Sequence, residues 1–180
     1  EHGWRSYPLT YKVTSTKGKR EFKLTTRILY SSTCPCSAGL SRQALQEEFR
    51  KVFREPSVHV SDVLNWLGQP GAIPAFPHAQ RSEAIVEFTL DPSESVPSAL
   101  SLIDEIESAL GTPVQAAVKR EDEQEFARRN AQNLMFCEDA ARKLKSALLK
   151  REEVVDFQIE VRHFESLHPH DVVAKVGKFD

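Results

Sequence analysis

Hydrophobic and polar positions near the start of the chain alternate with a period of two. Apolar side chains recur at every second position from Tyr7 to Val13 and again from Phe22 to Tyr30, with the turn sequence TKGK between the two runs. This period is typical of β-strands that bury one face. The pattern therefore predicts a β-hairpin with one buried face, which ends just before two cysteines.

The spacing of apolar residues becomes helical after the cysteines. From Ser41, a suitable N-cap, a stripe that includes Phe49 and Phe53 shares one helical face, and a shorter apolar patch covers residues 63–67. The stretch GQPGAIPAFP then predicts an irregular return path, because it is rich in proline and glycine. We expect residues of about 38–77 to form an excursion inserted into the domain.

The second half of the chain contains both the period of two typical of strands and the apolar spacing typical of helices. Residues 84–90 alternate as a strand, and the turn-rich DPSESVPS follows them. Helical stripes predict helices over 99–110, ending at Gly111, over EDEQEFARRNAQN, and from about Phe136. Val155, Phe157, Ile159 and Val161 then alternate as a strand, and DVVAKV is its expected partner. This order predicts an α+β fold, with an antiparallel sheet and helices packed on one face.

Composition narrows the class of protein. A chain of 180 residues with 40% hydrophobic and 28% charged residues is expected to form one core. Its net charge of -2 lacks the basic excess of a nucleic-acid binder, so we expect no nucleic-acid partner. The chain has no apolar run of the roughly 18–20 residues that a membrane helix needs, which predicts a cytoplasmic protein with no membrane partner.

Two of the three cysteines flank a proline in STCPCS. Pro35 favours an extended Cys34, which predicts that both thiols lie on a stiff turn just beyond a strand. A reducing compartment favours ligand or catalytic roles over a disulfide framework. A C-x-C pair alone is compatible with a metal site and equally with buried thiols that only fill space.

Further candidates for a shared site are imidazoles and carboxylates outside the apolar stripes: His78, Glu123, Glu138, Glu165, His168 and His170. Each has a plain structural alternative, since loop histidines are common and acids at helix starts complement the helix dipole. The ESLHPH segment is richer in such groups than a turn requires. Cys137 is expected to be a packing residue. We assign no role to His2, His59 or His163, and His163 is expected to point outward.

Taken in order, STCPCS, PHAQRSEA, KREDEQ, FCED and ESLHPHD resemble the motifs of the prokaryotic GTP cyclohydrolases of type I-B. The resemblance spans nearly the whole chain and implies the tunnelling fold, in which units assemble into barrels with active sites at subunit interfaces. It implies a homo-oligomer, a tetramer, that hydrolyses GTP at C8 to 7,8-dihydroneopterin triphosphate and formate. That reaction is the first step towards tetrahydrofolate and deazapurine-modified transfer RNA.

The sequence departs from the family pattern at two places. Family members usually carry another tunnelling module before the cysteines, so we expect residues 1–180 to be a single catalytic unit in which that module is absent. Many members also place the histidine much closer to the cysteines than His78 lies here. An inserted excursion accounts for this difference, because a long surface loop costs little closure entropy.

The resemblance implies ligands for one divalent metal ion: Cys34 through its thiolate, His78 through its imidazole and Glu123 through its carboxylate. Zinc suits this mixed donor set, and manganese or iron are alternatives. Cys36 and His168 are implied as proton-transfer residues, with Glu165 orienting His168.

Contacts to GTP follow from the same resemblance. Glu138 is implied to accept hydrogen bonds from the guanine N1 and amino group, and Arg81, Lys119 and Arg120 are the expected partners of the triphosphate. Two alternatives share these features. One is a tunnelling-fold enzyme that acts on another pterin or purine ring, and the other is a homologue or fragment that binds a metal, a purine or a pterin without turnover.

Overall fold

A computed structural model of the chain describes residues 4–91, 93 and 96–180. The strands of this part are β1 (Leu9–Thr16), β2 (Lys19–Thr33), β3 (Ala79–Leu90), β4 (Val154–His163) and β5 (Val172–Gly177). The helices are α1 (Pro35–Val52), α2 (Val60–Leu67), α3 (Ala99–Leu110), α4 (Arg120–Gln132) and α5 (Cys137–Leu148). The predicted α+β class is confirmed, as is the helical character of every segment predicted to be helical.

One antiparallel sheet holds all the strands in the order β1-β2-β3-β4-β5. Each strand pairs with its neighbour in sequence. The α1–α2 segment leaves the sheet at the end of β2 and returns at the start of β3, and Thr33 pairs directly with Ala79. The excursion therefore begins and ends at the same point of the sheet.

Helices α3 and α5 cover one face of the sheet. Their stripes of leucine, isoleucine and alanine, including Ile106 and Leu144, pack against buried sheet residues such as Ile28, Phe88 and Phe157. These side chains form one continuous hydrophobic core, as expected when a sheet and a helix layer each bury their apolar side. Gly111 ends α3 with φ of 78°, a left-handed conformation that glycine adopts without steric cost.

The predicted hairpin is present, but the prediction that it buries one face holds only for its second strand. Leu24, Ile28 and Tyr30 of β2 are buried, whereas every residue of β1 is exposed. Strand β1 lies at the edge of the sheet, beyond the part that α3 and α5 cover. Alternation marks a side suited to burial, but within the part of the chain that the structure describes no residue of β1 is buried.

Helix α1 begins at Pro35, so the prediction of an N-cap at Ser41 is wrong. Cys34 is the N-cap, with the extended backbone expected before a proline, and Ser41 is buried inside the helix. Proline suits the first helical position because its φ is already helical and its missing N–H would have no intrahelical partner. The cysteines therefore lie at a helix start, Cys36 within the first turn, and not on a free turn.

Strand β4 carries a second difference from the predicted pattern. Val154, Phe157 and Ile159 are buried, whereas Val155 is half-exposed. The pairing of β3 with β4 shifts between Thr89 and Leu90, which is a β-bulge. A bulge adds one residue to one strand and reverses the side to which the preceding residues point, so the inward phase predicted for Val155 is wrong.

The predicted turn-rich linker DPSESVPS lies partly outside the described residues, as does His2. Within the linker, both the backbone N–H and the hydroxyl of Ser93 donate to the Asp91 carboxylate, as expected for a turn. No helix in the part of the chain described by the structure is long and apolar enough to cross a membrane.

Candidate active site

Cys34 and His78 lie opposite each other where β2 ends and β3 begins. The backbone N–H of Cys34 donates to the carbonyl of His78 at 3.3 Å, which extends the β2–β3 ladder by one step. The N–H of His78 in turn donates to the Ser37 hydroxyl at 3.1 Å. Both candidate ligands are half-buried, whereas the Cys36 thiol is exposed. Two residues far apart in sequence are thus held together by backbone geometry.

A hydrogen-bonded chain of side chains starts at the His78 ring. Gln80 Oε1 lies 3.2 Å from His78 Nδ1, and Gln80 Nε2 donates to Glu165 Oε1 at 2.8 Å. Gln80 is not among the residues that the sequence predicts for the site. A signal was present, since residues two apart on a strand point to the same side, so a strand that starts beside His78 carries Gln80 towards the same site.

His163 is buried, so the prediction that it points outward is wrong. Its Nε2 lies 2.8 Å from the hydroxyl of Tyr30 and its Nδ1 lies 3.4 Å from the hydroxyl of Ser32, which bonds Ser82 at 2.7 Å. Burial lowers the pKa of His163 below its ordinary value. The phase of β4 itself places His163 inward, because Phe157, Ile159 and Val161 of the same alternation are buried and the pairing with β3 is regular from Asp156 to His163.

Two candidate carboxylates act on this histidine. The negative charges of Glu165 and, to a lesser extent, Glu138 favour the protonated ring and partly oppose the effect of burial on the pKa of His163. Glu138 is exposed in the first turn of α5, next to Cys137. The end of β4 and the start of α5 therefore bring both carboxylates near one buried imidazole.

Cys137 is buried in the core, which confirms its predicted packing role. Its thiol lies 3.3 Å from the carbonyl of Val161 and donates to it. Burial raises the pKa of the Cys137 thiol to about 11, so the group stays protonated near neutral pH. A neutral buried thiol is suited to packing α5 against the sheet and unsuited to nucleophilic chemistry.

Glu123 and Arg81 share a groove beside the start of β3. This groove has a volume of about 320 Å³ and is also lined by Gln80, Ser31 and Phe126. Both charged side chains belong to exposed residues. The groove thus contains one candidate metal ligand and one candidate phosphate partner next to the Gln80 side chain.

Lys119 and Arg120 lie at the start of α4, close in sequence to Glu123. The backbone N–H of Lys119 donates to the Asp122 carboxylate at 3.0 Å, which caps the helix. Arg120 is the first helical residue and is exposed. The start of α4 therefore presents cationic side chains beside the Glu123 groove.

His168 and His170 are exposed in the connection between β4 and β5. Their rings stack with centroids 5.7 Å apart and planes inclined by 27°. Among the described residues, no hydrogen bond joins Glu165 to His168; the Glu165 carboxylate accepts from Gln80, and its backbone N–H donates to Asp171 at 3.2 Å. In this structure Glu165 therefore orients Gln80.

The donor chemistry at the strand junction fits a transition metal. Cys34 offers sulfur and His78 offers imidazole nitrogen, the donors that zinc prefers, and the Gln80 contact leaves Nε2 of His78 directed away from the amide. Within the described residues, no three side chains of His, Cys, Asp or Glu are grouped as a ready metal site. The structure thus joins two of the three predicted ligands through their backbones, and Glu123 lines the neighbouring groove together with Gln80.

Comparison with known proteins identifies the family to which this chain is similar. The family model described as type I GTP cyclohydrolase FolE2 matches residues 1–174. Curated relatives named GTP cyclohydrolase FolE2 include those of Pseudoalteromonas translucida, 50% identical over 96% of this chain, and Hydrogenovibrio crunogenus, 50% identical over 98%. A third, from Bdellovibrio bacteriovorus, is 48% identical over 97%.

These matches cover only part of each relative. The chain spans 57%, 56% and 57% of the three proteins, a little over half of their length. The family match nevertheless extends over nearly every residue of this chain. It includes all five motifs on which the resemblance rests. The chain belongs to the type I GTP cyclohydrolase FolE2 family.

Proposed function

We propose that this chain carries the active site of a metal-dependent GTP cyclohydrolase, which hydrolyses GTP at C8 to 7,8-dihydroneopterin triphosphate and formate. The observation that carries the proposal is the backbone contact between Cys34 and His78, in a chain whose relatives bear the name of that activity. A thiolate and an imidazole held together at a strand junction form the core of a mixed-donor metal site.

Cys34, His78 and Glu123 are the residues that would hold one divalent ion, zinc or else manganese or iron. When bound, such an ion supplies Lewis acidity that makes hydroxide available near neutral pH for attack on C8. The half-buried positions of Cys34 and His78 support this assignment, because partial burial limits competing water. Glu123 would complete the set from the neighbouring groove.

Proton transfer is assigned to Cys36 and His168. Cys36 is exposed in the first turn of α1, directly after the proline that follows Cys34. An imidazole exchanges protons near neutral pH, which suits His168 to the departure of the ring nitrogen. The orientation of His168 by Glu165 stays a prediction for the substrate-bound enzyme.

Recognition of GTP is assigned to charged groups around the junction. Glu138 would accept hydrogen bonds from guanine N1 and the amino group, a two-donor edge that matches a carboxylate and that adenine lacks. Arg81, Lys119 and Arg120 would hold the triphosphate. Arg81 and Arg120 are exposed residues, and the guanidinium group matches the geometry of phosphate oxygens, which supports this role.

A homo-oligomer, a tetramer with sites at subunit interfaces, is part of the proposal. The exposed edge strand β1 supports it. An uncovered strand edge offers unpaired backbone groups to another chain. A cytoplasmic role at the start of tetrahydrofolate or deazapurine synthesis likewise stays a prediction.

The test uses the 180-residue chain with GTP and added Zn²⁺ or Mn²⁺. The reaction is followed by oxidation of the products, neopterin fluorescence and formate release, and Cys34→Ala serves as the control. Metal-dependent fluorescence with equal formate would support the proposal. If metal-loaded protein binds GTP but forms neither product, the non-catalytic alternative is correct and the proposed activity is wrong for this chain.

A further inference from the structure

We infer that Gln80 is a positioning residue that fixes the tautomer of His78 and links it to Glu165. The inference rests on the proposed metal site, which it extends by a residue that touches neither metal nor substrate. Three groups carry it: the His78 ring, the Gln80 amide and the Glu165 carboxylate, joined by contacts of 3.2 and 2.8 Å.

The chemistry of the three groups sets the direction of each hydrogen bond. An ionised carboxylate only accepts, so the Gln80 group that faces Glu165 must be the NH₂ donor. The other end of the amide, Oε1, then faces His78 and can only accept. His78 Nδ1 must therefore carry a proton, since two acceptors at 3.2 Å would repel.

The backbone holds both ends of this chain of contacts. Gln80 is buried and pairs with Ser32 in the β2–β3 ladder, which limits the reach of its side chain. On the other side, the N–H of Phe164 donates to the carbonyl of Arg81 at 3.2 Å, which holds the segment just before Glu165 against β3. A flipped amide would place Oε1 against the Glu165 carboxylate, where two acceptors repel.

The proton on Nδ1 determines the state of the other ring nitrogen of His78, Nε2. In a neutral imidazole only one nitrogen carries hydrogen, so a proton held at Nδ1 leaves a lone pair at Nε2. That lone pair is what a metal ion needs from histidine. Without the Gln80 acceptor the ring is free to place its proton on Nε2, where it blocks coordination. Gln80 thus fixes the tautomer of His78 that can bind a metal ion, before the ion binds.

The experiment measures the tautomer directly in metal-free protein. Long-range ¹H–¹⁵N correlation spectra of histidine-labelled chain, at a pH where His78 is neutral, distinguish Nδ1–H from Nε2–H rings. Wild type is expected to show a single Nδ1–H pattern for His78. Gln80→Leu is expected to show the Nε2–H form, and Gln46→Leu, on the exposed surface of α1, is the matched control.

A single substitution and a double substitution test the hydrogen bond between Gln80 and Glu165. Gln80→Glu alone places two carboxylates together and is expected to disturb the contact. The double variant Gln80→Glu with Glu165→Gln reverses the donor and acceptor: the carboxylate at position 80 accepts from His78 Nδ1 and from the amide at position 165. This double variant is expected to restore the Nδ1–H tautomer. It also covers the case in which Gln80→Leu fails to fold.

Metal affinity is a separate readout. Co²⁺ titration followed by its visible absorption should show affinity about 10–100-fold weaker in Gln80→Leu than in wild type, with recovery in the double variant. An unchanged tautomer in Gln80→Leu, or loss of the Nδ1–H form in the double variant, would overturn the inference. If the tautomers behave as expected but wild type binds no Co²⁺, the assigned role of Gln80 in metal binding is wrong together with the metal site, while the hydrogen-bonded chain stands. Failure of the inference and failure of the proposed function are thereby distinguished.

Discussion

The backbone N–H of Cys34 donates to the carbonyl of His78, so the last residue before α1 and the last residue before β3 meet across the sheet. Everything between them, α1 and α2 included, leaves the sheet and returns to it at this contact. The α1–α2 segment packs mainly through its own rings, with Trp66 meeting Phe49 and Phe53 edge-on at centroid distances of 5.6 Å. The site can therefore keep its geometry whatever the length of the excursion.

Cys34→Ala is expected to lose metal and turnover together, whereas Cys36→Ala keeps its metal. The reason is position: Cys34 adjoins His78, and Cys36 is exposed one step into α1. Removal of a direct ligand should weaken metal binding by at least the roughly 10–100-fold that outer contacts contribute. Metal content per chain and neopterin formation are the measurements. Full metal and full activity in both variants would contradict the assignment of these thiols.

Glu138→Gln is expected to reduce kcat/KM for GTP by about 10–100-fold, which corresponds to the loss of a hydrogen bond to a charged group. Discrimination against ATP should fall in parallel, because the substituted amide can also donate to the acceptor edge of adenine. Competition assays with both nucleotides measure the effect. Glu152→Gln, an exposed turn residue, is the control. Unchanged selectivity would show that another group reads the guanine.

Acid should destabilise the fold through His163. Its pKa in the folded chain is below the ordinary value of 6.5, because burial against Tyr30 and Ser32 disfavours the charged ring more than the negative charges of Glu165 and Glu138 favour it. The unfolded chain therefore binds the proton more readily. The stability contributed by the neutral ring is present above pH 6.5 and is lost as the pH falls from there towards the folded pKa.

His163→Gln is the variant that checks this pH dependence. Urea unfolding across about pH 5 to 8 should give a free energy of unfolding that falls with acid more steeply in wild type than in the variant. The difference between the two curves removes the contribution of the other histidines. Each unit by which the pKa of His163 is lowered corresponds to about 1.4 kcal/mol. Parallel curves would contradict a neutral buried ring.

Gly111→Ala and Gly39→Ala should have opposite effects on stability. Gly111 has φ of 78°, and an added Cβ would lie 3.2 Å from Asn133 Nδ2, so a loss of about 1–2 kcal/mol is expected. Gly39 lies inside α1 with no atom within 4 Å of an added Cβ, and alanine there should stabilise the chain by up to about 1 kcal/mol. Urea unfolding measures both free energies. Equal changes of the same sign would show that backbone conformation does not control these positions.

The sequence predicted correctly those turns and helices that depend on interactions between neighbouring residues. The turn between β1 and β2 places Lys17 and Gly18 at positive φ, as the TKGK sequence suggests, and Gly111 ends α3 as predicted. The apolar stripe of α5 is likewise buried on the side that its period indicates. Each of these features depends on a few neighbouring residues and their own conformational preferences.

Predictions were wrong or incomplete where the outcome depends on residues that are distant in sequence. The wrong N-cap at Ser41 is a separate case, because Pro35 at the first helical position is a local signal, and the prediction followed the apolar stripe instead. The bulge opposite Thr89 reversed the expected phase of Val155. Gln80 was missed because its partner Glu165 belongs to the connection after another strand.

The sequence by itself determined the periods of its strands and helices, the caps and turns between them, and the order of motifs that marks the family, since these are properties of neighbouring residues. Only the tertiary structure decided that Cys34 meets His78, that Gln80 joins His78 to Glu165, and that the His163 ring contacts Tyr30 and Ser32. The physical reason is strand register. It is set by the joint burial of side chains from the whole sheet and its two covering helices, and one shift of register moves every side chain of a strand to the opposite face.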